Sequence, residues 1–318
     1  MRTILVPTTL EERVDLPAGW RARTYDPALP LPVDARDAEV LVVWGNRRAA
    51  LAEAARTLGD LRWVACLAAG TDAVDDAGFD ASVLVTSGRG LHDGPVTEHA
   101  LALVLACARR VPDLVRAQDE RRWAAELGGV QPVHDTRFRT LTGAHVVVWG
   151  FGSIAARLSP LLVALGASVT GVATTAGERH GFPVVTPDEL DGVLPSADVL
   201  VGILPATPQT RHAIGADVLA LLPERAFVVN VGRGSTLDER ALLDAVRTGR
   251  LAGAALDVFD REPLPPSSPL WSEPRILVSP HAAGGRPQHA GAFLTEALRA
   301  YDAGEQPPNV VTRASTAR

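Results

Sequence analysis

Short apolar runs alternate with helical patterns along most of this chain. In the first 90 residues, four short apolar runs are predicted to be buried strands, and Ala49–Leu58 is predicted to be a helix. Such an alternation predicts helical crossovers and therefore a parallel sheet. The four predicted strands are Thr3–Pro7, Val40–Trp44, Trp63–Cys66 and Val83–Val85.

A long helix is predicted next, over Pro95–Arg110. Pro95 suits a first helical turn, and Glu98 suits the positive end of the helix. Apolar residues then recur at helical spacing and form one stripe. The stripe consists of Leu101, Val104, Leu105 and Ala108.

The alternation restarts more strongly at residue 145. Six strands separated by helices are the content of a doubly wound nucleotide-binding sheet. The predicted strands are His145–Trp149, Ser168–Val172, Val199–Leu204, Phe227–Val231, Gly253–Val258 and Ile276–Ser279. The predicted helices are Ile154–Leu165, Pro187–Leu194, Asp217–Leu221, Asp238–Thr248 and the closing Pro287–Tyr301.

Composition narrows the possible functions. The 318 residues are enough for about two domains, and all 31 cationic residues are arginines. Without lysine the chain cannot form a P-loop, a protein-kinase site or a Schiff base. A net charge of −6 argues against a nucleic-acid partner. The sequence has only two cysteines, and we find neither a zinc-ligand spacing nor a signal peptide or membrane span, so we expect a cytoplasmic protein without metal.

A glycine-rich turn follows the strand that ends at Trp149. Gly150-Phe151-Gly152-Ser153-Ile154-Ala155 fits G-x-G-x-x-A. In this pattern the glycines allow a tight turn and a close approach to a pyrophosphate, which the N–H groups of the following helix would bind. The sequence therefore predicts a dinucleotide site.

The second strand of this region lacks the acidic residue that usually binds the ribose 2′-hydroxyl. Val172 is followed by Ala173-Thr174-Thr175, and Arg179 comes a few residues later. Two hydroxyls and an arginine could bind a 2′-phosphate, so NADP or NAD is expected, with NADPH favoured. Alternatively, Thr174 hydrogen-bonds the ribose of NAD.

Three polar residues follow successive predicted strands: Arg233, Glu262 and His281. Ligands of open α/β sheets bind at these carboxyl ends. Arginine can hold a carboxylate through two parallel hydrogen bonds, and a glutamate stabilises a protonated imidazole that can donate a proton to a carbonyl oxygen. Each residue alone could be an ordinary loop residue; the three together predict a catalytic set.

In these segments the chain resembles the D-isomer-specific 2-hydroxyacid dehydrogenases. The matching segments are Trp149-Gly150-Phe151-Gly152-Ser153-Ile154, Leu204-Pro205-Ala206-Thr207-Pro208-Gln209-Thr210, Asn230-Val231-Gly232-Arg233-Gly234-Ser235-Thr236-Leu237-Asp238-Glu239, Ala255-Leu256-Asp257-Val258-Phe259-Asp260-Arg261-Glu262-Pro263-Leu264, and Ser279-Pro280-His281-Ala282-Ala283-Gly284. The resemblance implies Arg233 on the substrate, His281 as acid/base and Glu262 as its partner.

The resemblance also implies further binding residues. Pro205, Thr210 and Val231 would line the cofactor, and Asp257 would lie near the nicotinamide carboxamide. The segment Ala68-Ala69-Gly70-Thr71-Asp72 resembles the family's substrate loop, in which N–H groups of Ala69 and Gly70 would meet the substrate carboxylate. Formate dehydrogenases of the superfamily have glutamine where this chain has Glu262, and phosphite dehydrogenases have lysine in the substrate loop where this chain has Ala69.

The family's architecture implies a Rossmann-type doubly wound sheet inserted into a smaller flavodoxin-like α/β substrate domain. The dinucleotide-binding domain would span residues 95–283, the substrate domain would consist of 1–94 and 284–318, and the active site would lie in the cleft between them. A homodimer formed through the cofactor domain is also implied, with the Pro95–Arg110 helix as a candidate contributor.

Two functions fit these expectations. The first is reduction of a 2-oxoacid to the (R)-2-hydroxyacid with NAD(P)H, in the manner of a glyoxylate/hydroxypyruvate reductase. The second is a non-catalytic NAD(P) sensor of the C-terminal-binding-protein type, because such proteins can retain the three polar residues. Trp44, Asn46 and Arg47 follow a predicted strand of the substrate domain and either face the substrate or belong to core and surface.

Overall fold

In a computed structural model of the protein, residues 1–32, 35–128 and 138–311 are described. The chain divides into two compact units. Unit 1 consists of Met1–His92 and Arg286–Arg318, and unit 2 is Asp93–Gly285. The chain thus leaves unit 1 and later returns to it.

Unit 1 is built on a five-stranded sheet of order β2-β1-β3-β4-β5, in which all neighbouring strands are parallel. This is the strand order of flavodoxin-like folds, as the resemblance implied. The strands are β1 (Arg2–Pro7), β2 (Trp20–Tyr25), β3 (Val40–Val43), β4 (Trp63–Cys66) and β5 (Leu84–Thr86). The helices are α1 (Arg48–Thr57), α2 (Asp72–Asp75) and, after the return of the chain, α8 (Ala290–Asp302).

Strand β2 was absent from the sequence prediction. Its sequence Trp-Arg-Ala-Arg-Thr-Tyr buries only the two terminal aromatic residues and leaves most positions between them to solvent. Arg21 and Arg23 both form ion pairs with Asp37. Because β2 is an edge strand, it carries few apolar residues and gives no apolar run.

Unit 2 is built on an eight-stranded sheet of order β13-β12-β11-β10-β6-β7-β9-β8. Its central part follows the Rossmann order, with one extra parallel strand, β13, at one end. The strands are β6 (His145–Trp149), β7 (Ser168–Val172), β8 (Gly177–Arg179), β9 (Phe182–Val185), β10 (Val199–Gly202), β11 (Phe227–Asn230), β12 (Gly253–Leu256) and β13 (Ile276–Val278). The six predicted strands are confirmed; β8 and β9, an antiparallel hairpin at the opposite edge, were missed.

Helices cover both faces of this sheet. They are α3 (Asp93–Ala108), α4 (Val111–Asp119), α5 (Ser153–Ala164), α6 (Ala216–Leu221) and α7 (Glu239–Arg247). The predicted helix over Pro187–Leu194 is instead a pair of short 3₁₀ turns, Pro187–Gly192 and Leu194–Ser196. Helix α4, which the prediction missed, has Pro112 in its first turn.

The apolar stripe predicted for α3 is only partly right. Val104 and Ala108 are buried, but Leu101 and Leu105 are half-buried. The buried face runs instead through Val96, Ala100, Leu103, Val104, Cys107 and Ala108. This face packs with α5 and with Val146 and Val148 of β6 in one apolar cluster.

Within residues 1–32, 35–128 and 138–311, no helix has both the length and the apolarity needed to span a bilayer. In the same ranges, no three histidine, cysteine, aspartate or glutamate side chains lie together as metal ligands would.

Candidate active site

The three predicted catalytic residues follow three adjacent strands of unit 2. Arg233 follows β11, Glu262 follows β12 and His281 follows β13, and these strands are parallel neighbours. Their carboxyl ends therefore share one edge of the sheet, where α/β folds bind ligands. The structure thus brings the three loops together.

His281 and Glu262 form a direct pair. Nδ1 of His281 lies 2.6 Å from Oε2 of Glu262. The other oxygen of Glu262 accepts a 2.9 Å hydrogen bond from the backbone N–H of Phe259, which orients the carboxylate. Because Nδ1 is occupied by Glu262, Nε2 is the ring nitrogen that can face a substrate.

The pair favours the charged form of each partner. The hydrogen bond to Glu262 raises the pKa of His281, although burial opposes it and the Arg233 guanidinium lowers it. Burial acts to raise the pKa of Glu262, but the hydrogen bonds from His281 and from the Phe259 backbone outweigh burial and lower it. Since the His281 side chain is 45% exposed, solvent screens the pair, and its contribution to fold stability is modest.

Hydrogen bonds to the Asn230 side chain hold the loop that carries Arg233. Asn230, which is completely buried, accepts a 3.1 Å hydrogen bond from Gly232 N–H and donates one of 3.2 Å to the Arg233 carbonyl. Gly234 brings this loop against the next one, because a Cβ there would lie 1.8 Å from the carbonyl carbon of Phe259. Sequence reasoning missed Asn230; its place at the end of a buried strand was the available signal.

The Gly150–Ile154 turn has the geometry that a dinucleotide requires. Gly150 has φ +103°, and a Cβ there would lie 2.5 Å from the Ile203 carbonyl oxygen, so only glycine fits. A Cβ on Gly152 would meet nothing within 4 Å, which leaves open space above the turn. Helix α5 begins at Ser153, and the N–H groups of Ser153 and Ile154 have no carbonyl partner within the helix. These donors beside open space fit a pyrophosphate.

Past the end of β7, the predicted 2′-phosphate residues are partly brought together. Nη2 of Arg179 donates to the carbonyl oxygen and to the hydroxyl of Thr175. Thr174 and Thr175 are exposed, and Arg179 is half-buried on β8. The β8–β9 hairpin, which sequence reasoning missed, is therefore the element that places Arg179 beside Thr175.

The remaining predicted cofactor residues follow three strands, β10, β11 and β12. Thr210 donates a 2.6 Å hydrogen bond to the Pro205 carbonyl oxygen, which closes the loop after β10. Val231 is buried directly after β11. Asp257 is completely buried after β12 and accepts hydrogen bonds from the N–H groups of Ala282 and Ala283. Its contact with the nicotinamide carboxamide stays a prediction.

In unit 1, the predicted substrate loop follows β4. Ala69 is exposed and Gly70 is half-buried. The loop is held by a 2.7 Å hydrogen bond from Gly88 N–H to the Ala68 carbonyl oxygen. Its role in substrate binding stays a prediction.

Comparison with known proteins places this chain in a family. The model for the NAD binding domain of the D-isomer specific 2-hydroxyacid dehydrogenases matches residues 101–283, more than half of the chain. The chain belongs to the D-isomer specific 2-hydroxyacid dehydrogenases. This membership confirms the resemblance, and the fold and the NAD(P) cofactor agree with it.

Three relatives are particularly similar to this dehydrogenase. Glyoxylate reductase of Aeropyrum pernix is 32% identical over 80% of this chain and 77% of its own. Glyoxylate/hydroxypyruvate reductase A of Klebsiella pneumoniae is 34% identical over 68% of this chain and 67% of its own. A crystal structure of a D-isomer specific 2-hydroxyacid dehydrogenase from Xanthobacter autotrophicus, in complex with NADPH and MES, has a TM-score of 0.75 and 30% identity, with 98% of this chain and 97% of that chain covered.

These relatives support an enzyme rather than the non-catalytic cofactor sensor. The protein is an NAD(P)-dependent oxidoreductase that interconverts 2-oxoacids and 2-hydroxyacids.

Proposed function

We propose that this dehydrogenase reduces small 2-oxoacids of the glyoxylate and hydroxypyruvate type to (R)-2-hydroxyacids, and that Arg233, Glu262 and His281 perform the reaction. The observation that carries the proposal is the 2.6 Å contact between His281 Nδ1 and Glu262 Oε2. The names of the two reductase relatives support the substrate class.

Each residue has one task in this proposal. The Arg233 guanidinium binds the substrate carboxylate and the adjacent carbonyl oxygen. Gly150, Gly152 and the first turn of α5 would hold a nicotinamide cofactor, which would supply a hydride to the carbonyl carbon. His281 donates the proton on Nε2 to the carbonyl oxygen, and Glu262 stabilises the imidazolium before the transfer. The raised pKa of His281 favours the protonated imidazole that this step requires.

The test is a spectrophotometric assay of NADPH oxidation with glyoxylate, hydroxypyruvate, pyruvate and phenylpyruvate. We expect the two small oxoacids to give the highest kcat/KM. His281→Ala should lower kcat by about 10²- to 10⁴-fold, the usual contribution of general acid–base catalysis. Cofactor binding without turnover of any oxoacid would refute the proposal.

We further propose that Thr174, Thr175 and Arg179 bind the 2′-phosphate of NADPH. Two hydroxyls and a guanidinium can satisfy a phosphate, and no carboxylate stands among Ala173, Thr174 and Thr175 to repel it. Hydrogen bonds to charged groups contribute about 1.5–3 kcal/mol, so Arg179→Ala should raise KM for NADPH by roughly 10- to 100-fold. KM for NADH should stay unchanged, and a wild-type preference for NADH would contradict the proposal.

The proposed domain roles follow from the same site. We propose that unit 1 binds the oxoacid through Ala69 and Gly70, that unit 2 binds the cofactor, and that the protein acts as a cytoplasmic homodimer. Burial of both thiols, Cys66 and Cys107, fits a reducing compartment.

An exposed apolar face on helix α4 of unit 2 supports the homodimer. Val111, Leu114 and Val115 share this face at 41%, 46% and 50% exposure, and exposed apolar patches mark protein contacts. Sedimentation analysis should give a dimer that Leu114→Glu dissociates. A wild-type monomer would refute this part.

A further inference from the structure

A second polar cluster lies behind the loop that carries His281. It consists of His99 on α3, Asp257 after β12 and Ser279 after β13, all within unit 2. Asp257 and Ser279 are buried, and the His99 side chain is only 26% exposed. A buried carboxylate is costly unless hydrogen bonds satisfy it, so the burial of Asp257 needs a structural or functional explanation.

The hydrogen-bond distances in the cluster indicate which atoms carry the protons. The Ser279 hydroxyl donates to Asp257 Oδ1 at 2.6 Å, because a carboxylate can only accept. The hydroxyl has a single hydrogen, so in its 3.0 Å contact with His99 Nε2 the serine oxygen accepts. Nε2 of His99 therefore carries a proton, and it also lies 3.2 Å from Asp257 Oδ1. The chain of hydrogen bonds therefore runs from His99, which donates to Ser279, to Asp257, which accepts from Ser279.

The same carboxylate also binds the loop that carries His281. Oδ1 of Asp257 accepts from Ala282 N–H at 2.8 Å, and Oδ2 accepts from Ala283 N–H at 3.0 Å. The Asp257 carbonyl oxygen accepts from His281 N–H at 2.8 Å. His281 itself has φ +53°, a left-handed conformation that costs free energy in any residue with a Cβ. These three hydrogen bonds keep His281 in that conformation.

We propose that His99 is a positioning residue of the reaction: with Ser279 it orients the Asp257 carboxylate, which fixes the loop that presents His281. The inference rests on the proposed function, since it assumes that His281 transfers the proton. It adds a residue that acts through Ser279 and Asp257, the two residues that His99 contacts.

Loss of the His99 donor should change turnover and spare the pyrophosphate turn at Gly150. Without it, Ser279 and Asp257 can rotate, and the loop can relax from its left-handed conformation. A displacement of about 1 Å at a reacting group can lower the rate by about 10²-fold. The Gly150 turn follows β6, three strands away from β12 in the sheet, so the pyrophosphate contacts should stay as in the wild type, and only the predicted contact of Asp257 with the nicotinamide would weaken.

The experiment compares four variants with the wild type in oxoacid reduction. His99→Phe keeps a ring and removes the donor, whereas His99→Gln keeps an N–H donor. His145→Phe is the matched control, because His145 is another hydrogen-bonded histidine of unit 2, on β6 with Ser196 and Thr170 as partners. His281→Ala tests the proposed function separately. Steady-state kcat and KM, cofactor affinity and Tm are measured for each.

We expect His99→Phe to lower kcat by about 10- to 100-fold and to weaken cofactor affinity by a much smaller factor. His99→Gln should recover most of the loss, and His145→Phe should retain the wild-type kcat. An unchanged kcat in His99→Phe beside an inactive His281→Ala would overturn the positioning role. Equal losses of kcat in His99→Phe and His99→Gln, in step with Tm, would also overturn it. A fully active His281→Ala would refute the proposed function instead.

Asp257→Asn adds a readout in pH. Three charged groups act on His281 here, namely Glu262, Arg233 and Asp257, and the Asp257 carboxylate acts to raise the pKa of His281. Removing that charge should lower the pKa of His281, and reduction should therefore begin to slow at a lower pH. A profile identical to that of the wild type would count against the contact between Asp257 and the His281 loop.

Discussion

Replacing Gly234 by alanine should force apart the loops that carry Arg233 and Glu262. A Cβ on Gly234 would lie 1.8 Å from the Phe259 carbonyl carbon and 2.1 Å from its oxygen. Ordinary van der Waals contact begins at 3.4 Å, so the loops must separate by the difference between 3.4 and 1.8 Å, about 1.6 Å. Both clashing atoms belong to the backbone, which means that no side-chain rotation can relieve the contact.

This separation should cost both activity and stability. Since misplacement by 1 Å can lower a rate about 10²-fold, kcat/KM for the oxoacid should fall by at least roughly that factor. Overpacking costs about 1–3 kcal/mol, and for a unit of this size each kcal/mol lowers Tm by about 2–4 °C. The assays are steady-state kinetics and thermal melting. Gly192→Ala is the control, because its Cβ would meet nothing within 4 Å. Wild-type kcat/KM in Gly234→Ala would refute the reasoning.

Three further predictions address charge, reactivity and packing. Glu262→Gln should lower the pKa of His281 and move the pH profile of reduction to lower pH. The drop in Tm caused by Glu262→Gln should be largest between pH 4.5 and 6.5. The pair of Glu262 and His281 stabilises the fold fully only above the ordinary pKa of glutamate and below the ordinary pKa of histidine. This contribution is lost as the pH rises through the raised pKa of His281. Burial raises the pKa of Cys107 to about 12, so iodoacetamide at pH 8 should label it only after unfolding in urea, as mass spectrometry can show. Leu158→Ala, at a completely buried position of α5, should lower the free energy of unfolding in urea by about 2–5 kcal/mol.

The sequence predicted the buried strands well and the exposed elements poorly. Strands such as β6, with Val146, Val147 and Val148 completely buried, are continuous apolar runs because helices cover both faces of the sheet. Edge strands have less to bury. The hairpin of β8 and β9 contains Gly177-Glu178-Arg179, all three of them exposed or half-buried, so nothing in its pattern distinguishes it from a loop.

The sequence predicted the loops that carry the candidate catalytic residues, but it did not predict the residues that hold these loops in place. Arg233, Glu262 and His281 could be found because polar residues at successive strand ends carry a chemical meaning. His99 could not, since one polar residue on a mostly apolar helix usually faces solvent, and only the fold places its ring against Ser279 and Asp257. Asn230 was quoted within a motif, yet its two hydrogen bonds to the Arg233 loop depend on tertiary structure.

The central claim is that His281, activated by Glu262, gives the proton that completes reduction of a 2-oxoacid. Single-turnover oxidation of bound NADPH by glyoxylate, in the wild type and in His281→Ala saturated with cofactor, tests it most directly. The account predicts a loss of at least about 10²-fold in the single-turnover rate with unchanged cofactor affinity. A His281→Ala variant that reduces glyoxylate at the wild-type rate would contradict it.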